Sequence, residues 1–572
     1  MKALFLKRIA RSLTILSLAA IVMSCAGGET QNNSGATTAQ NTAAASEEIT
    51  PVDPTAKYDP PITVSSVLIV DDTIKYKEGE SYQDNDYIKA YADELGINID
   101  YKWTVPDQQK AEKINAMIAT NDLPDMFLVD MKQLQLLVNS PVETIIELGG
   151  LFDTYATELT KEIRPVADVA FGSATFGGKL MALPYNAVTG LDKTAVIWIR
   201  KDWLEKLNLE APKTVDDLMA IADAFVTEDP DGNGTADTYG IAATNKIIDT
   251  FAGLDGLFFA YHAYPGTWVK AADGNLVYGS VQPETRTALL KLQEFFAKGY
   301  FDPEFGTKDS GKVAEYTSAG RIGIEMGMMW NPAWPLNSSR DNDPSANWVA
   351  YPLVSGDGEP ALSAVDIPVS QYLVVNKKCE NPEAAIKMLN LFYDKVYGPN
   401  AEPGKYWESD DGVQFFKYAV IMSEKLYQNL DMHLNIISSL DSGDVSKLTP
   451  MEKANFDKVS NVINGSDNSG DWSMLAIYGK ESSFAVLNGY EKDNLYFYNG
   501  FYGAPTETMA SKGSNLVKGA TDLSKMENEV FTKIIMGAPI ESFDTFVADW
   551  ERLGGDQITE EVNQWAKEVS GE

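Results

Sequence analysis

The chain has 572 residues, a formal net charge of −35, two cysteines and two histidines. A chain of this length is too long for one hydrophobic core, so we expect at least two lobes. The acidity argues against nucleic-acid binding, and it disfavours an anionic cargo unless a local basic pocket overrides the overall field. Cys25 and Cys379 alone exclude a disulfide framework, and His262 and His433 alone argue against a His-rich zinc site or a Ser-His-Asp triad.

The N-terminus has the three parts of a secretory signal. Basic residues lie between Lys2 and Arg11, an apolar stretch runs from Leu13 to Met23, and Cys25 follows shortly after. About eleven apolar-biased residues are too few for a membrane span, which needs about 20. The ending Val-Met-Ser-Cys resembles a bacterial lipobox, which implies that Cys25 carries a lipid anchor on the outer face of the cell membrane. The alternative is a plain secreted protein with an incidental cysteine.

A polar segment follows the signal. Residues 26–57 contain no aromatic residue and almost no large apolar one, so we expect residues 25–60 to form a disordered tether. A lipid anchor followed by a flexible tether suits a receptor that must reach a membrane transporter. It suits a freely diffusing enzyme less well.

The body alternates strand patterns with helical ones. Its first segment, 62–70 (ITVSSVLIV), is apolar and β-branched, which is typical of a buried strand. Further strands are predicted at 97–103, 126–129, 180–185, 195–200, 320–328 and 371–376, and helices at 85–95, 108–119, 216–226, 283–298 and 382–393. Strands that alternate with helices predict an α/β fold with a parallel sheet. The region 401–572 is predicted to be mainly helical, with a hairpin near 495–502.

Seven segments together carry a family resemblance. They are GGKLMALPYN (177–186), IWIRKDWLEKLNLEAPKTVDDL (197–218), DPDGNGTADTYGI (229–241), GSVQPETRTALLKLQEFFAKGYFDPEF (279–305), SAGRIGIEMGMMWNPAW (318–334), FYGAPTETM (501–509) and SFDTFVADWERLGGDQITEEVNQW (542–565). Their order and spacing resemble those of family 1 extracellular solute-binding proteins, of the large lipoprotein type that serves carbohydrate ABC importers. The resemblance implies a monomer with the two-lobed periplasmic-binding-protein fold of type II, with ligand bound between hinged lobes.

The resemblance also implies a division of the chain. The expected parts are a signal peptide (1–24), a tether (25–60), a first lobe (61–184), a second lobe (185–340), a return to the first lobe (341–400) and a C-terminal helical region (401–572) that completes the second lobe.

The sharpest local motif is an Asp- and Gly-rich stretch at 229–237. Its oxygen-bearing side chains match positions 1, 3, 5 and 9 of a calcium-binding loop, a backbone carbonyl is available at position 7, and Gly234 stands at position 6, where such a loop turns sharply. The predicted calcium ligands are Asp229, Asp231, Asn233, Thr235 and Asp237. Position 12 is Gly240 instead of Glu, so the bidentate ligand is missing or comes from elsewhere. Several relatives that this stretch resembles hold a structural calcium, whereas the alternative is a solvated turn.

Two tryptophans follow the predicted strand 320–328. In maltose-binding-type relatives an aromatic residue just after this strand packs on a sugar ring, so the resemblance implies ligand contact by Trp330 and Trp334. The C–H faces of a pyranose are apolar and stack on indole, while its hydroxyl groups need hydrogen bonds. The alternative for either tryptophan is packing in the core.

Other candidates come from strand ends and loops. Polar groups at the carboxyl ends of strands face the crevice of an α/β sheet, which favours ligand contact. The candidates of this kind, together with residues on loops expected at the cleft, are Tyr185, Asn186, Asp130, Trp268, Asp366 and Tyr502.

The function that the sequence and the resemblance predict is a receptor, not an enzyme, that captures a sugar or oligosaccharide by closure of its lobes and docks on ABC permease subunits. Two alternatives stay open. One keeps the same fold but takes peptides or presents its ligand to a membrane sensor. The other is a surface glycosidase, which needs a carboxylate pair that the sequence does not single out.

Overall fold

The computed structural model describes residues 52–70, 74–164, 169–185, 189–249, 251–399, 401–409, 413–503, 506, 508–509 and 526–570. The predicted signal peptide, Cys25, most of the predicted tether and Asn186 lie outside these residues. In the part of the chain that is described, no helix is both long and apolar enough to span a bilayer.

The strands and helices alternate through the first two thirds of the chain, and helices dominate the remainder. The strands are β1 (Ile62–Val70), β2 (Ile97–Pro106), β3 (Met126–Val129), β4 (Thr175–Phe176), β5 (Lys179–Leu180), β6 (Leu183–Tyr185), β7 (Val196–Arg200), β8 (Tyr239–Ile241), β9 (Trp268–Lys270), β10 (Leu276–Tyr278), β11 (Ile322–Gly327), β12 (Trp348–Tyr351), β13 (Ser363–Val365), β14 (Gln371–Val375) and β15 (Tyr496–Tyr498).

The α-helices are α1 (Asp86–Ala90), α2 (Lys110–Thr120), α3 (Met131–Val138), α4 (Gly149–Tyr155), α5 (Glu158–Ile163), α6 (Val169–Ser173), α7 (Lys201–Lys206), α8 (Val215–Thr227), α9 (Asp255–Phe259), α10 (Pro283–Ala297), α11 (Ser310–Ser318), α12 (Leu336–Asn342), α13 (Ala384–Tyr397), α14 (Pro403–Tyr406), α15 (Gln428–Ser442), α16 (Pro450–Ile463), α17 (Ser469–Tyr478), α18 (Ser483–Asp493), α19 (Glu541–Arg552) and α20 (Gly555–Ser570). A π-helical turn, Tyr91–Leu95, continues α1, and residues 526–535 are also helical.

The first lobe is built on a sheet in which β14 lies between β3 and β6. β14 is antiparallel to both neighbours, so Tyr372 stands opposite Val129 on one side and Pro184 on the other. β1 and β2 form a parallel pair, and the Ser65 hydroxyl donates to the carboxylate of Asp125 at 2.6 Å, which ties β1 to the start of β3. A continuous core drawn from residues 64–183 and 372–422 covers these strands.

The second lobe is built on a four-stranded sheet with the order β12-β7-β11-β8. All of β7 is buried, because Ile197 and Ile199 pack into one core while Val196 and Trp198 pack into another on the opposite face. This explains the uninterrupted apolar pattern of the strand. α8 covers one face, and Thr214 begins it with a reciprocal capping box to Asp217.

The expectation of parallel sheets is confirmed only in part. β1 pairs in parallel with β2, and β11 with β8. β14 is antiparallel to β3 and β6, because it returns to the first lobe from a distant part of the chain, and β7 is antiparallel to β11 and β12. The predicted hairpin near 495–502 is instead a single strand, β15, which pairs in parallel with β13. β12 also joins the second sheet, whereas the predicted division gives residues 341–400 to the first lobe.

The C-terminal helices cover both faces of the second sheet. Side chains of α15, α17 and α18 pack with Trp198 and Trp348 on one face. On the other face, Phe531 from the helical residues 526–535 packs with Phe543 and Phe546 of α19 against Leu257 and Phe258. Their apolar residues recur at helical spacing because one stripe of each helix is buried.

Candidate ligand-binding cleft

Three segments of the chain cross between the lobes. The first leads from β6 to β7, the second from β13 to β14, and the third from Met422 in the first core to Leu430 in the second lobe. Each crossing segment contributes to the lining of one cavity of about 760 Å³. The residues from the crossing segments are Asp192 and Lys193, then 366–370, then Glu424 and Asn429.

The second lobe supplies most of the remaining wall. The end of β11 contributes Gly327 and Met328, and the loop before β9 contributes residues 265–267. Trp330 also lines the cavity, and its side chain is 43% exposed, which is unusual for so large an apolar group. An exposed indole beside hydrogen-bonding groups can stack on the apolar face of a sugar ring.

A short 3₁₀ turn, Asn331–Ala333, holds the position of Trp330. The backbone N–H of Ala333 donates to the carbonyl of Trp330 at 2.8 Å. Gly327 is required before this turn, because a Cβ there would lie 2.2 Å from the Asn331 amide nitrogen. The turn therefore folds back tightly on the end of β11 and directs Trp330 to the cavity.

Two smaller cavities adjoin the large one through Ser370, which lines all three. One, of about 240 Å³, includes Tyr185, whose phenol has its pKa raised to about 12 by burial. The other, of about 210 Å³, includes Tyr502 and Asp366. Asp366 accepts a hydrogen bond from Asn499 at 2.9 Å, and Tyr502 packs edge-on against Trp565. Asp366 thus lines the same cavity as Trp330, and Tyr185 and Tyr502 line the two cavities next to it.

Three predicted contact residues lie elsewhere, each for a physical reason. Trp334 is 50% exposed, but it packs against Phe251 and is absent from the cavity lining. Trp268 is 5% exposed and fills a small core with Leu276 and α20, while the loop before it reaches the cavity. Asp130 is the N-cap of α3, where its carboxylate accepts from the backbone of Gln133 at 2.8 Å.

The cavity is rich in carboxyl groups. They belong to Asp192, Asp249, Asp255, Asp366 and Glu424, and Lys193 is the one cationic side chain among the lining residues of the described chain. Burial raises the pKa of Asp192 and of Asp255 to about 7. Burial, and then the nearby Asp192 charge, raise the pKa of Glu424 to about 8. These groups can therefore both donate and accept hydrogen bonds near neutral pH.

Sequence reasoning missed most of these polar lining residues. Asp192 and Glu424 lie more than 200 positions apart, and nothing in either local pattern distinguishes them from other acidic residues. Asp192 does follow the predicted crossover after Tyr185, which is the one sequence signal that could have identified it. Glu424 and Asn429 lie in a region that reads only as helix and loop.

The Asp- and Gly-rich loop connects α8 to β8 and lies outside the cavity lining. Asp229 accepts from the backbone N–H groups of Gly232, Asn233 and Gly234 at 3.0–3.1 Å. The Asn233 side-chain amide donates to Asp231 at 2.7 Å and to Asp237 at 3.0 Å. The predicted ligands are thus brought together by hydrogen bonds of the loop itself.

This loop does not have metal-site geometry in the structure. Within the described residues, no group of three or more His, Cys, Asp or Glu side chains converges as a metal site. The donor set nevertheless has the chemistry that calcium prefers, because it consists of the oxygen-bearing residues of the loop, three of which are aspartates. Burial raises the pKa of Asp231, and the hydrogen-bonded contact with Asp229 raises it further. Gly240, at the position of the missing Glu, packs against Ala222, where a Cβ would lie 2.9 Å away.

Comparison with known proteins agrees with this architecture. The sequence model of the family described as bacterial extracellular solute-binding protein matches residues 77–398, which is more than half of the chain. The protein therefore belongs to the bacterial extracellular solute-binding protein family, as the sequence resemblance predicts.

Three relatives illustrate the match. Polygalacturonan/rhamnogalacturonan-binding protein YtcQ of Bacillus subtilis is 24% identical over 487 residues, which cover 84% of this chain and 88% of YtcQ. An HMO-binding, ABC-transporter-associated solute-binding protein of Bifidobacterium longum infantis superposes with a TM-score of 0.60 at 16% identity, covering 89% of this chain and 99% of the other.

The third relative is the fructooligosaccharide ABC transporter substrate-binding protein FusA of Streptococcus pneumoniae. It is 35% identical over 151 residues, which cover 25% of this chain and 28% of FusA. Its complex with kestose superposes with a TM-score of 0.53 at 17% identity, covering 89% of this chain and all of the other, and another FusA structure is described as an EF-hand mutant. The structural matches confirm the two-lobed periplasmic-binding-protein fold.

Proposed function

We propose that this protein is the substrate-binding lipoprotein of a bacterial ABC importer, which captures a sugar or oligosaccharide between its lobes and delivers it to a membrane permease. The observation that carries the proposal is the cavity of about 760 Å³, which all three crossing segments line and in which Trp330 is exposed. The volume falls in the usual range for a small-molecule site, roughly 300–1,000 Å³. The relatives named above for binding polysaccharides and oligosaccharides support this class of cargo.

The position of the cavity supports capture by closure. Residues from the crossing segments line the cavity. A ligand that contacts them therefore contacts the segments whose conformation must change when the lobes move. A ligand shifts a two-lobed protein toward its closed form only if it makes extra contacts in that form. Trp330 on the second lobe, and Tyr185 in the adjoining cavity of the first lobe, are the aromatic groups that we assign to such contacts.

A thermal-shift screen of the purified protein tests the proposal. A ligand that binds only the folded state raises stability by RT ln(1 + [L]/Kd), about 2.7 kcal/mol at 100 times Kd. A higher melting temperature with one saccharide series supports the proposal. A higher melting temperature with peptides alone contradicts it and supports the alternative receptor that the same fold allows. Sugar recovered chemically unchanged after incubation distinguishes binding from glycosidase activity.

We also propose that Cys25 carries a lipid anchor on the outer face of the cell membrane. The proposal is supported by the basic, apolar and Cys-containing order of the N-terminus and by membership of an extracellular family. Cys25→Ser should release the protein from the membrane fraction into the medium. Retention of that variant in the membrane fraction contradicts the proposal.

Finally, we propose that the loop 229–237 holds a structural calcium ion. Asp229, Asp231, Asn233 and Asp237 would bind it through side-chain oxygens, and Thr235 through its backbone carbonyl. The Asn233 amide would have to turn its oxygen toward the ion, because its nitrogen now faces two carboxylates. The calcium ion would supply charge neutralisation for these carboxylates, and we assign it no part in ligand capture.

A further inference from the structure

The proposed function leaves the charge of the cargo open, and the cavity wall bears on it directly. A binding protein for a polyanionic saccharide needs cationic side chains at the site, because a bound carboxylate must replace the hydration that it loses. In the described chain, this cavity has five lining carboxyl groups and one lining cation, Lys193. Among the described residues, the lining therefore holds no basic cluster that could override the acidity of the whole protein.

Asp192 and Glu424 are the two acidic residues of this wall on which the inference depends. They come from different crossing segments and are close enough for the charge of Asp192 to raise the pKa of Glu424. Asp192 is 6% exposed and accepts one hydrogen bond, from Asn429 at 3.3 Å. Within the described residues, no other group donates to the Asp192 carboxyl, and none donates to the carboxyl of Glu424. Both residues line the cavity.

This arrangement favours a ligand that donates hydrogen bonds. A sugar hydroxyl can donate to either carboxyl group, and an ammonium group can pair with them once they ionise. A ligand carboxylate would instead place another negative group beside Asp192, whose charge already raises the pKa of Glu424. Lys193 lowers the pKa of both acids, and Arg164, outside the cavity lining, also lowers that of Glu424, so both cationic charges already act on these carboxyl groups.

We infer that the cargo is a non-anionic oligosaccharide, which presents hydroxyl or amino donors to Asp192 and Glu424, and that saccharides containing uronic acids are rejected at the same place. The inference rests on the proposed function, because it concerns the same cavity. The two sources of donors, neutral sugars and amino sugars, share the chemistry that the wall recognises.

The experiment uses saccharides matched in backbone and different in charge. Neutral oligomers, their glucosamine or galactosamine counterparts and their C6-carboxylate counterparts are screened by thermal shift, and each hit is titrated calorimetrically together with its uronate counterpart. We expect hits among the neutral or amino oligomers, with uronate counterparts about 100-fold weaker. Uronate affinity equal to or above that of the counterparts overturns the inference and leaves the proposed function intact. Hits with peptides and with no saccharide class overturn the proposed function itself.

A double variant tests whether these two residues set the selectivity. Asp192→Asn with Glu424→Gln keeps the shape of both side chains and removes the ability of both to ionise, and the titrations are made at about pH 8.5, where ionisation is favoured in the wild-type protein. We expect the ratio of uronate to neutral affinity to rise about tenfold or more, whatever the absolute affinities. Glu560→Gln, an exposed site on α20, is the matched control and should leave the ratio unchanged. Equal ratios in the wild-type protein and the double variant would overturn the assignment of selectivity to this pair.

Discussion

Asn331 donates a hydrogen bond of 2.6 Å from its side-chain amide to the carboxyl group of Glu325. Glu325 is fully buried in β11, and Thr317 contacts its other oxygen at 3.1 Å. The pair joins the strand to the turn that follows Trp330. Because Asn331 begins that turn, the buried carboxyl of Glu325 positions the cleft tryptophan without touching the cavity.

The first prediction concerns this carboxyl and pH. Burial raises the pKa of Glu325 from its ordinary value of 4.5 to about 8. The folded protein therefore holds a proton that the unfolded chain loses, and the contribution of Glu325 to stability falls as pH rises between these values. Glu325→Gln keeps both hydrogen bonds, since its amide oxygen accepts from Asn331 and its amide nitrogen can donate to Thr317.

We expect the free energy of unfolding of Glu325→Gln to decline less steeply with pH than that of the wild-type protein. Urea denaturation at about pH 5, 7 and 9 measures the difference between the two proteins. Burial also raises the pKa of other carboxyl groups, namely Asp192, Asp255 and Glu424. The difference between wild-type and variant profiles therefore isolates the contribution of Glu325 to the pH dependence. Parallel pH profiles for the two proteins would show that Glu325 is ionised in the fold.

The second prediction separates the two neighbouring tryptophans. Trp330→Ala removes the indole from the cavity wall, and we expect ligand affinity to fall about tenfold or more, since aromatic stacking contributes about 0.5–1.5 kcal/mol beyond the area buried. Trp334→Ala is the matched control, because Trp334 is similarly exposed but packs on Phe251 away from the lining. Calorimetric titration with the ligand from the screen measures the affinity of both variants. A larger loss for Trp334→Ala contradicts the assignment of Trp330.

The third prediction concerns the loop 229–237. If the loop holds calcium, chelation should lower the melting temperature and readdition of calcium should restore it, because an ion that binds the folded state stabilises it. Asp231→Asn should weaken this response. The matched control is Asp273→Asn, since Asp273 makes the same local contacts with Asn275 at 3.0 and 2.8 Å. An unchanged melting temperature after chelation, with no co-purified metal, identifies the loop as a turn alone.

Local patterns predicted the elements well, and distant pairing was the part that they could not predict. The helix 216–226 and its cap Thr214 were readable because capping and apolar spacing lie within a few residues of one another. The position of β14 between β3 and β6 depends on partners about 190–250 residues away. The hairpin predicted near 495–502 is absent, because β15 pairs with β13, which lies about 130 residues earlier in the chain.

Because local patterns do not report contacts between distant parts of the chain, only some of the cleft residues could be predicted from the sequence. Trp330 was predicted as a ligand contact because it follows a predicted strand, which is a local signal, and the structure places both Trp330 and Asp366 in the cavity lining. Asp192 and Glu424 converge only because two crossing segments meet, and no local pattern reports that meeting. Trp268 was misjudged because a Gly- and Pro-rich loop indicates exposure, whereas β9 folds under α20 and buries the indole.

The fourth prediction concerns Gly190, in the first crossing segment. Its backbone N–H donates to the Tyr498 hydroxyl at 3.0 Å, and a Cβ there would lie 2.5 Å from the Tyr498 ring. Gly190→Ala should therefore destabilise the protein by about 1–3 kcal/mol, the usual cost of overpacking. In a Tyr498→Ala background the same substitution meets no ring, and we expect its cost to fall toward zero.

Urea denaturation of the four proteins in this cycle measures the coupling. Gly489→Ala is the control, because that glycine lies within α18 with open space around its Cβ position, and alanine there should stabilise the helix by about 0.5–1 kcal/mol. An equal cost of Gly190→Ala in both backgrounds would place the strain elsewhere in the crossing segment. A cost that depends on Tyr498 establishes that β15 of the second lobe fixes the path of the first crossing, and with it the position of Asp192 in the cavity wall.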